Sequence, residues 1–239
     1  MKLTLRHTLL AAAIATVGFS SVAPAKDKLE NDRDKRSYLV GMQIGGSLAQ
    51  IKDEIDLSLV TQAMETVLKG DKALLSDEEA AEVQKSFAEH LQAKRVAEQA
   101  AAAKKNKEEG EAFLAKNRSA AGVKTTASGL QYKVVTEGKG TKPIATDTVK
   151  VHYTGTLLDG TKFDSSVDRG QPATFALNQV IPGWTEGLQL MPAGSKYTFW
   201  IPSDLAYGDR GTPGPIGPNS TLKFEVELME IVKPAAAAQ

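Results

Sequence analysis

The chain has no cysteine among its 239 residues, so disulfides, thiolate nucleophiles and thiolate metal ligands are all excluded. Histidine is nearly as scarce: His7, His90 and His152 are the only three. A His-rich zinc site or a Cys/His catalytic pair is ruled out by inventory. No excess of one charge exists either, with 29 Lys+Arg against 29 Asp+Glu. Phosphate binding needs a basic excess, so nucleic acid is not expected as a partner. Aromatic residues make up 6% and are unevenly spread. Between Lys26 and Ser128 only Tyr38, Phe87 and Phe113 occur, whereas Trp184 and Trp200 both lie in the C-terminal part. The larger core is therefore expected there.

The first 25 residues read as an export signal. Lys2 and Arg6 form the basic start, Leu9 to Ala15 the apolar stretch, and Ala23-Pro24-Ala25 the small-residue cleavage pattern. The alternatives are a buried helix or a membrane span, although the apolar stretch falls short of the roughly 20 residues a bilayer requires. Removing Lys2 and Arg6 with the signal leaves 27 basic against 29 acidic residues, a net charge near −2. An exported chain without disulfides fits a bacterial periplasm, with outer-membrane association or secretion left open.

Residues 26–122 read as helical. Apolar residues at 38, 42, 44, 48 and 51 suit a helix with one buried face, and Leu57 to Lys69 suits a second, ended by Gly70. Ser76-Asp77-Glu78-Glu79 matches a capping box. The Ala/Glu/Gln/Lys-rich, proline-free stretch that follows predicts one long helix to about Asn117, roughly 60 Å in length at 1.5 Å per residue. Lys94 to Lys107 has almost no large apolar residue and is expected to be a solvated helix held by propensity and i,i+4 pairs. The two shorter helices have an apolar face and too little chain to bury it, which suggests self-association; a compact three-helix monomer is the alternative.

From Val123 the pattern changes to alternation and turns. Val149, Val151 and Tyr153 alternate with Lys150, His152 and Thr154; Tyr197, Phe199 and Ile201 with Thr198 and Trp200; Leu222, Phe224, Val226 and Leu228 with Lys223, Glu225 and Glu227. Each reads as a half-buried strand. Asp159-Gly160 signals a hairpin. One short helix, Pro182 to Met191, interrupts the strands with Trp184, Leu188 and Met191 on one face. The expected class is α+β: an antiparallel sheet wrapped on one short helix, preceded by an all-α arm. The expected organisation is a signal over 1–25, a helical dimerisation domain over 26–75, a connecting helix over 76–122, a catalytic domain over 123–233 and a disordered tail over 234–239.

Four segments in order carry a specific resemblance. These are Val151-His152-Tyr153-Thr154-Gly155-Thr156-Leu157 through Asp159-Gly160-Thr161-Lys162-Phe163-Asp164-Ser165-Ser166; Val180-Ile181-Pro182-Gly183-Trp184 with Glu186-Gly187-Leu188; Leu205-Ala206-Tyr207-Gly208; and Leu222 to Leu228. Over about residues 123–233 the chain resembles the FKBP-type peptidyl-prolyl cis/trans isomerases. The helical arm and the linker Val123 to Leu130 further resemble the macrophage infectivity potentiator group of bacterial envelope isomerases.

The resemblance implies an enzyme that turns X-Pro bonds without metal or cofactor. Rotation about the amide is slow because it breaks resonance, at a barrier of about 18–20 kcal/mol. A dry apolar pocket favours the twisted amide, which has lost its charge separation, over the planar one. Five decades of acceleration need only about 7 kcal/mol of differential stabilisation. By resemblance, Asp164, Tyr207, Phe163 and Trp184 are catalytic, with Trp184 as the floor beneath the proline ring. Tyr153, Val180, Ile181, Ile216 and Phe224 bind substrate, and the Tyr207 hydroxyl and Ile181 N–H donate to carbonyls. Expected partners are proline-containing peptides, unfolded exported proteins, a second copy of the chain and tacrolimus- or rapamycin-type inhibitors.

Taken singly, these residues have plainer readings: core aromatics, a turn at Asp164-Ser165-Ser166, a surface histidine at 152, a linker over Gly208 to Asn219. In the family the last of these overhangs the pocket. The sequence departs from the family's best-known members at Ala173, Gln179 and Thr212, which bears on inhibitor affinity and peptide preference. Two rivals remain, a binding module that has lost isomerase activity and a hydrolase using Asp159 with Asp164.

Overall fold

The computed structural model describes residues 27–232, so the signal expected over 1–25 and the tail over 234–239 lie outside the described residues. The described residues separate into two compact units, one ending at Ser76 and the other starting at Asp77. No helix among the described residues is long and apolar enough to cross a membrane.

In the first unit, α1 (Asp32–Leu48) starts where the Asn31 side chain accepts the Asp34 N–H at 3.0 Å. It begins ahead of the apolar pattern because this cap and the acidic residues Asp32 and Asp34 suit a helix N-terminus. It also ends earlier than expected, tightening into a 3-10 segment over Ala49–Glu54. The next helix, α2 (Leu57–Lys69), is capped by Asp56, whose carboxylate accepts from Ser58 N at 2.8 Å, and closes at Gly70 with φ 72. No residue of these three segments is buried. Tyr38 and Met42 are each 61% exposed and Leu68 is 86% exposed, so the apolar faces read from the sequence have no cover within this unit.

The second unit opens with α3 (Asp77–Asn117), 41 residues long with Asp77, Glu78 and Glu79 in its first turn. Exposed i,i+4 pairs Lys104–Glu108 and Lys105–Glu109 run along it, in the weaker Lys-first orientation. The expectation of a solvated helix holds for Lys94 to Ala101 and gives way after it. Ala102, Ala103 and Asn106 are half-buried and Gly110 is fully buried, because this face rests on the domain that follows. Near the end of α3, Leu114 O accepts from Gln131 Nε2 at 2.7 Å and Asn117 Nδ2 donates to Gln131 Oε1 at 2.8 Å. Gln131, 1% exposed, thus has its amide satisfied at both ends.

The domain is a seven-stranded antiparallel sheet: β1 (Val123–Thr125), β2 (Gln131–Thr136), β3 (Thr148–Leu157), β4 (Lys162–Ser165), β5 (Ala173–Ala176), β6 (Ser195–Ile201) and β7 (Leu222–Val232). The order is β1-β2-β6-β7-β3-β4, and β5 also pairs with β3. β4 and β5 share the outer edge of β3, at Thr154–Thr156 and Thr148–Val151 respectively. The helix α4 (Pro182–Gln189) packs Trp184 and Leu188 into the core with Met191 just beyond its end. Alternation in β3 and β7 is as expected, with Val149, Val151, Tyr153, Leu222, Phe224, Val226 and Leu228 buried. β6 departs from it, since Thr198 is buried as well. His152 also differs from a plain surface residue: it is half-buried, with Nδ1 3.1 Å from Ser166 Oγ.

Candidate active site

The site is a cleft of about 650 Å³ lined by β3, β4, β5 and β7, by α4 and the chain entering it, and by the 208–220 loop. It is within the size range of small-ligand pockets. Trp184 enters from the first turn of α4, where Pro182 supplies the fixed φ that a helix start favours. Its indole stands edge-on to three rings: Tyr153 at 5.1 Å and 88°, Phe175 at 5.4 Å and 85°, and Phe224 at 5.2 Å and 81°. Such perpendicular contacts align ring edges with ring faces and hold the indole in place. Trp184 Nε1 is buried and has no hydrogen-bond partner among the described residues.

Phe163 closes the wall from β4, 5.5 Å from Phe224. The approach depends on Gly155 of β3. A Cβ at that position would lie 2.5 Å from Phe163 and 2.7 Å from Phe224, so any side chain there would push both rings out of place. Val180 and Ile181 arrive from the chain entering α4, Ile216 from the loop, and Tyr207 stands at the rim, 41% exposed.

Asp164 supplies the polar wall. Its Oδ2 accepts from the Tyr153 hydroxyl and its Oδ1 from Arg169 Nη1, while Arg169 Nη2 donates to the Tyr153 hydroxyl at 3.1 Å. Burial pushes the Asp164 carboxyl up, but the Tyr153 hydrogen bond and the Arg169 guanidinium outweigh it and hold the group below its ordinary value. The Tyr153 phenol is pushed up, by burial first and by the neighbouring carboxylate second. Asp164 is therefore an ionised, oriented acceptor at neutral pH, unsuited to donating a proton.

All the residues singled out in the sequence meet here: Asp164, Tyr207, Phe163, Trp184, Tyr153, Val180, Ile181, Ile216 and Phe224 line this one cleft. Gln179 and Thr212 line it too, whereas Ala173 does not and packs against the core instead. Sequence reasoning missed Phe175 and Arg169. The alternation in Ala173-Thr174-Phe175-Ala176 could have found the first; nothing local marks the second. Asp159 is elsewhere, its Oδ1 accepting Thr161 N at 2.8 Å within the hairpin turn, so the carboxylate pair required by a hydrolase is not assembled.

Comparison with known proteins agrees with this geometry. Residues 139–229 match the family model described as FKBP-type peptidyl-prolyl cis-trans isomerase, and residues 33–134 match the domain amino terminal to it. A probable FKBP-type isomerase FkpA of Neisseria meningitidis is 52% identical over 84% of this chain and 75% of its own. The outer membrane protein MIP of Legionella longbeachae is 44% identical over 97% and 100%. The crystal structure of FkpA from Escherichia coli superposes with a TM-score of 0.69 at 37% identity, covering 85% of this chain and 98% of that one. The chain belongs to the FKBP-type peptidyl-prolyl cis-trans isomerase family. It is a peptidyl-prolyl isomerase with an N-terminal helical region of the FkpA and MIP kind.

Proposed function

We propose that the chain isomerises X-Pro bonds of exported proteins in the cleft floored by Trp184, by stripping water from the amide and favouring its twisted form. The observation that carries this reading is the convergence of Trp184, Tyr153, Phe163 and Phe224 with a single fixed carboxylate, Asp164. The proline ring lies on the indole. The Tyr207 hydroxyl and the Ile181 N–H donate to flanking carbonyls and hold the peptide across the rim. Twisting the amide withdraws negative charge from its carbonyl oxygen. A fixed carboxylate beside that oxygen disfavours the planar state more than the twisted one, which lowers the barrier. No proton is transferred and no covalent bond is made.

The uncovered apolar faces of α1 and α2 support the second part of the reading: a second copy of the chain covers them, making a dimer. Two sites on one dimer retain unfolded clients by making the second contact intramolecular, which supports a chaperone role beside catalysis. The leader-like first 25 residues and a relative named as an outer membrane protein support a bacterial envelope location, in the periplasm or at the outer membrane.

The test is Trp184→Leu, followed by exchange NMR on a proline-containing peptide. We expect kcat/KM to fall about tenfold or more, near 1.4 kcal/mol. Full activity in a folded variant would place the chemistry elsewhere.

A further inference from the structure

The 208–220 loop contacts the substrate cleft on one side and α3 on the other. Its outer part lines the cleft through Thr212, Pro213, Pro215 and Ile216. Its base is held by α3. Asn106 Nδ2 donates to Pro218 O at 2.8 Å and reaches Ser220 Oγ at 3.4 Å, and Asn219 Nδ2 donates back to Ala103 O at 3.3 Å. One turn on, Gly110 is the single buried residue of the helix. A Cβ there would fall 2.4 Å from Thr221 Oγ1, so glycine is what lets the helix seat on the loop's end. Residues 103, 106 and 110 recur at the spacing of one helix face.

The loop needs such an anchor. Gly208, Gly211, Gly214 and Gly217 alternate with Pro213, Pro215 and Pro218, which removes donors and prevents a regular ladder. Its internal bonds are few: Thr212 N to Ile216 O at 2.8 Å, Asn219 N to Gly208 O at 2.8 Å and Ser220 Oγ to Gly217 O at 2.9 Å. Asn219 adopts φ 56, a left-handed conformation that asparagine tolerates better than most residues, and this turns its amide toward α3. The carbonyl gripped by Asn106 is two residues from Ile216, which is 6% exposed and forms the cleft wall.

We infer that Asn106 and Gly110 of α3 are positioning residues for substrate choice: through the base of the loop they set where Ile216 stands against the peptide. The connecting helix is thereby part of the specificity apparatus as well as a spacer. Loss of the clamp releases the wall and changes which residues beside the proline are accepted, because these contacts are made to the bound peptide rather than to the rotating bond. The inference rests on the cleft being the isomerase site, which Trp184→Leu tests by itself, so the two can fail separately.

The experiment compares two peptides with alanine or leucine before proline, using the full chain carrying Asn106→Ala, Asn106→Asp or, as control, Lys107→Ala. Asn106→Asp keeps the side-chain shape and removes the donor. The ratio of kcat/KM between the two peptides should shift by about threefold or more in both Asn106 variants, mostly through KM, and not in the control. A smaller shift in both variants, a fall that is uniform across peptides, or an equal shift in Lys107→Ala would overturn it. Should one Asn106 variant fail to fold, the other decides alone.

Discussion

The Tyr153 hydroxyl donates to the Asp164 carboxylate across the β3–β4 pair, and Arg169, five residues beyond Asp164, grips both partners. Because β3 also positions Gly155, the same strand makes room for Phe163 and Phe224 and supplies the donor that orients the one acid in the cleft. The polar wall and the Phe163–Phe224 side of the site thus depend on one strand, while Trp184 and Ile216 come from α4 and the loop.

Replacing that acid tests whether its charge contributes. Asp164→Leu keeps comparable bulk and should lower kcat/KM for a proline-containing peptide by about tenfold, roughly 1.4 kcal/mol. Exchange NMR reads the rate and circular dichroism checks the fold; wild-type turnover would remove Asp164 from the mechanism.

Arg169 governs how far into acid the site survives. The Asp164 pKa is depressed in the folded chain, so the stabilisation it brings is present above the unfolded value of about 3.9 and lost as pH falls through the lower folded value. Arg169→Gln removes one of the influences that outweigh burial, leaving the Tyr153 hydroxyl and the Ser165 N–H. The carboxyl resonance of Asp164 should then titrate at higher pH, and the acid limb of kcat/KM should move with it. An unchanged midpoint would mean that the Tyr153 and Ser165 hydrogen bonds suffice without the guanidinium.

Macrolide binding is expected on the Trp184 floor. Tacrolimus or rapamycin laid on Trp184 should quench tryptophan fluorescence at micromolar drug, since Trp184 is buried at the base of the cleft. Trp200, half-buried on β6 and outside the cleft lining, should contribute a constant background. Absence of quenching would point first to Thr212 and Gln179, which line the cleft where the family's better-known members carry other residues.

Sedimentation separates the arm from the catalytic unit. The full chain should be a dimer at micromolar concentration, and a fragment starting at Asp77 should be an active monomer that suppresses aggregation of an unfolded protein less well. A fragment starting near Val123 keeps every cleft residue but uncovers Gln131 and Thr221, which α3 now covers. We expect it to fold with a lower Tm than the Asp77 fragment. A monomeric full chain would refute the dimer reading of α1 and α2.

The sequence alone determined what short-range periodicity can express. The long helix to Asn117, α2 ending at Gly70 and the hairpin at Asp159-Gly160 all follow from spacing and turn chemistry within a few residues. The cleft was legible through resemblance to a family: eight of its nine expected residues fall in four ordered segments, with Ile216 in the loop between the last two, although each residue alone reads more readily as core or turn. What only the tertiary structure decided are pairings that no local pattern encodes. Arg169 looks like any loop arginine until β4 turns Asp164 toward it. Asn106 and Gly110 look like ordinary positions in a polar helix, yet Asn106 meets Pro218 across 112 residues of sequence and Gly110 fits against Thr221 for want of a Cβ. Periodicity reports which side of an element is apolar; it carries no information about a polar contact between an exposed-looking helix and a glycine- and proline-rich loop, because that contact exists only once the sheet has brought the two together.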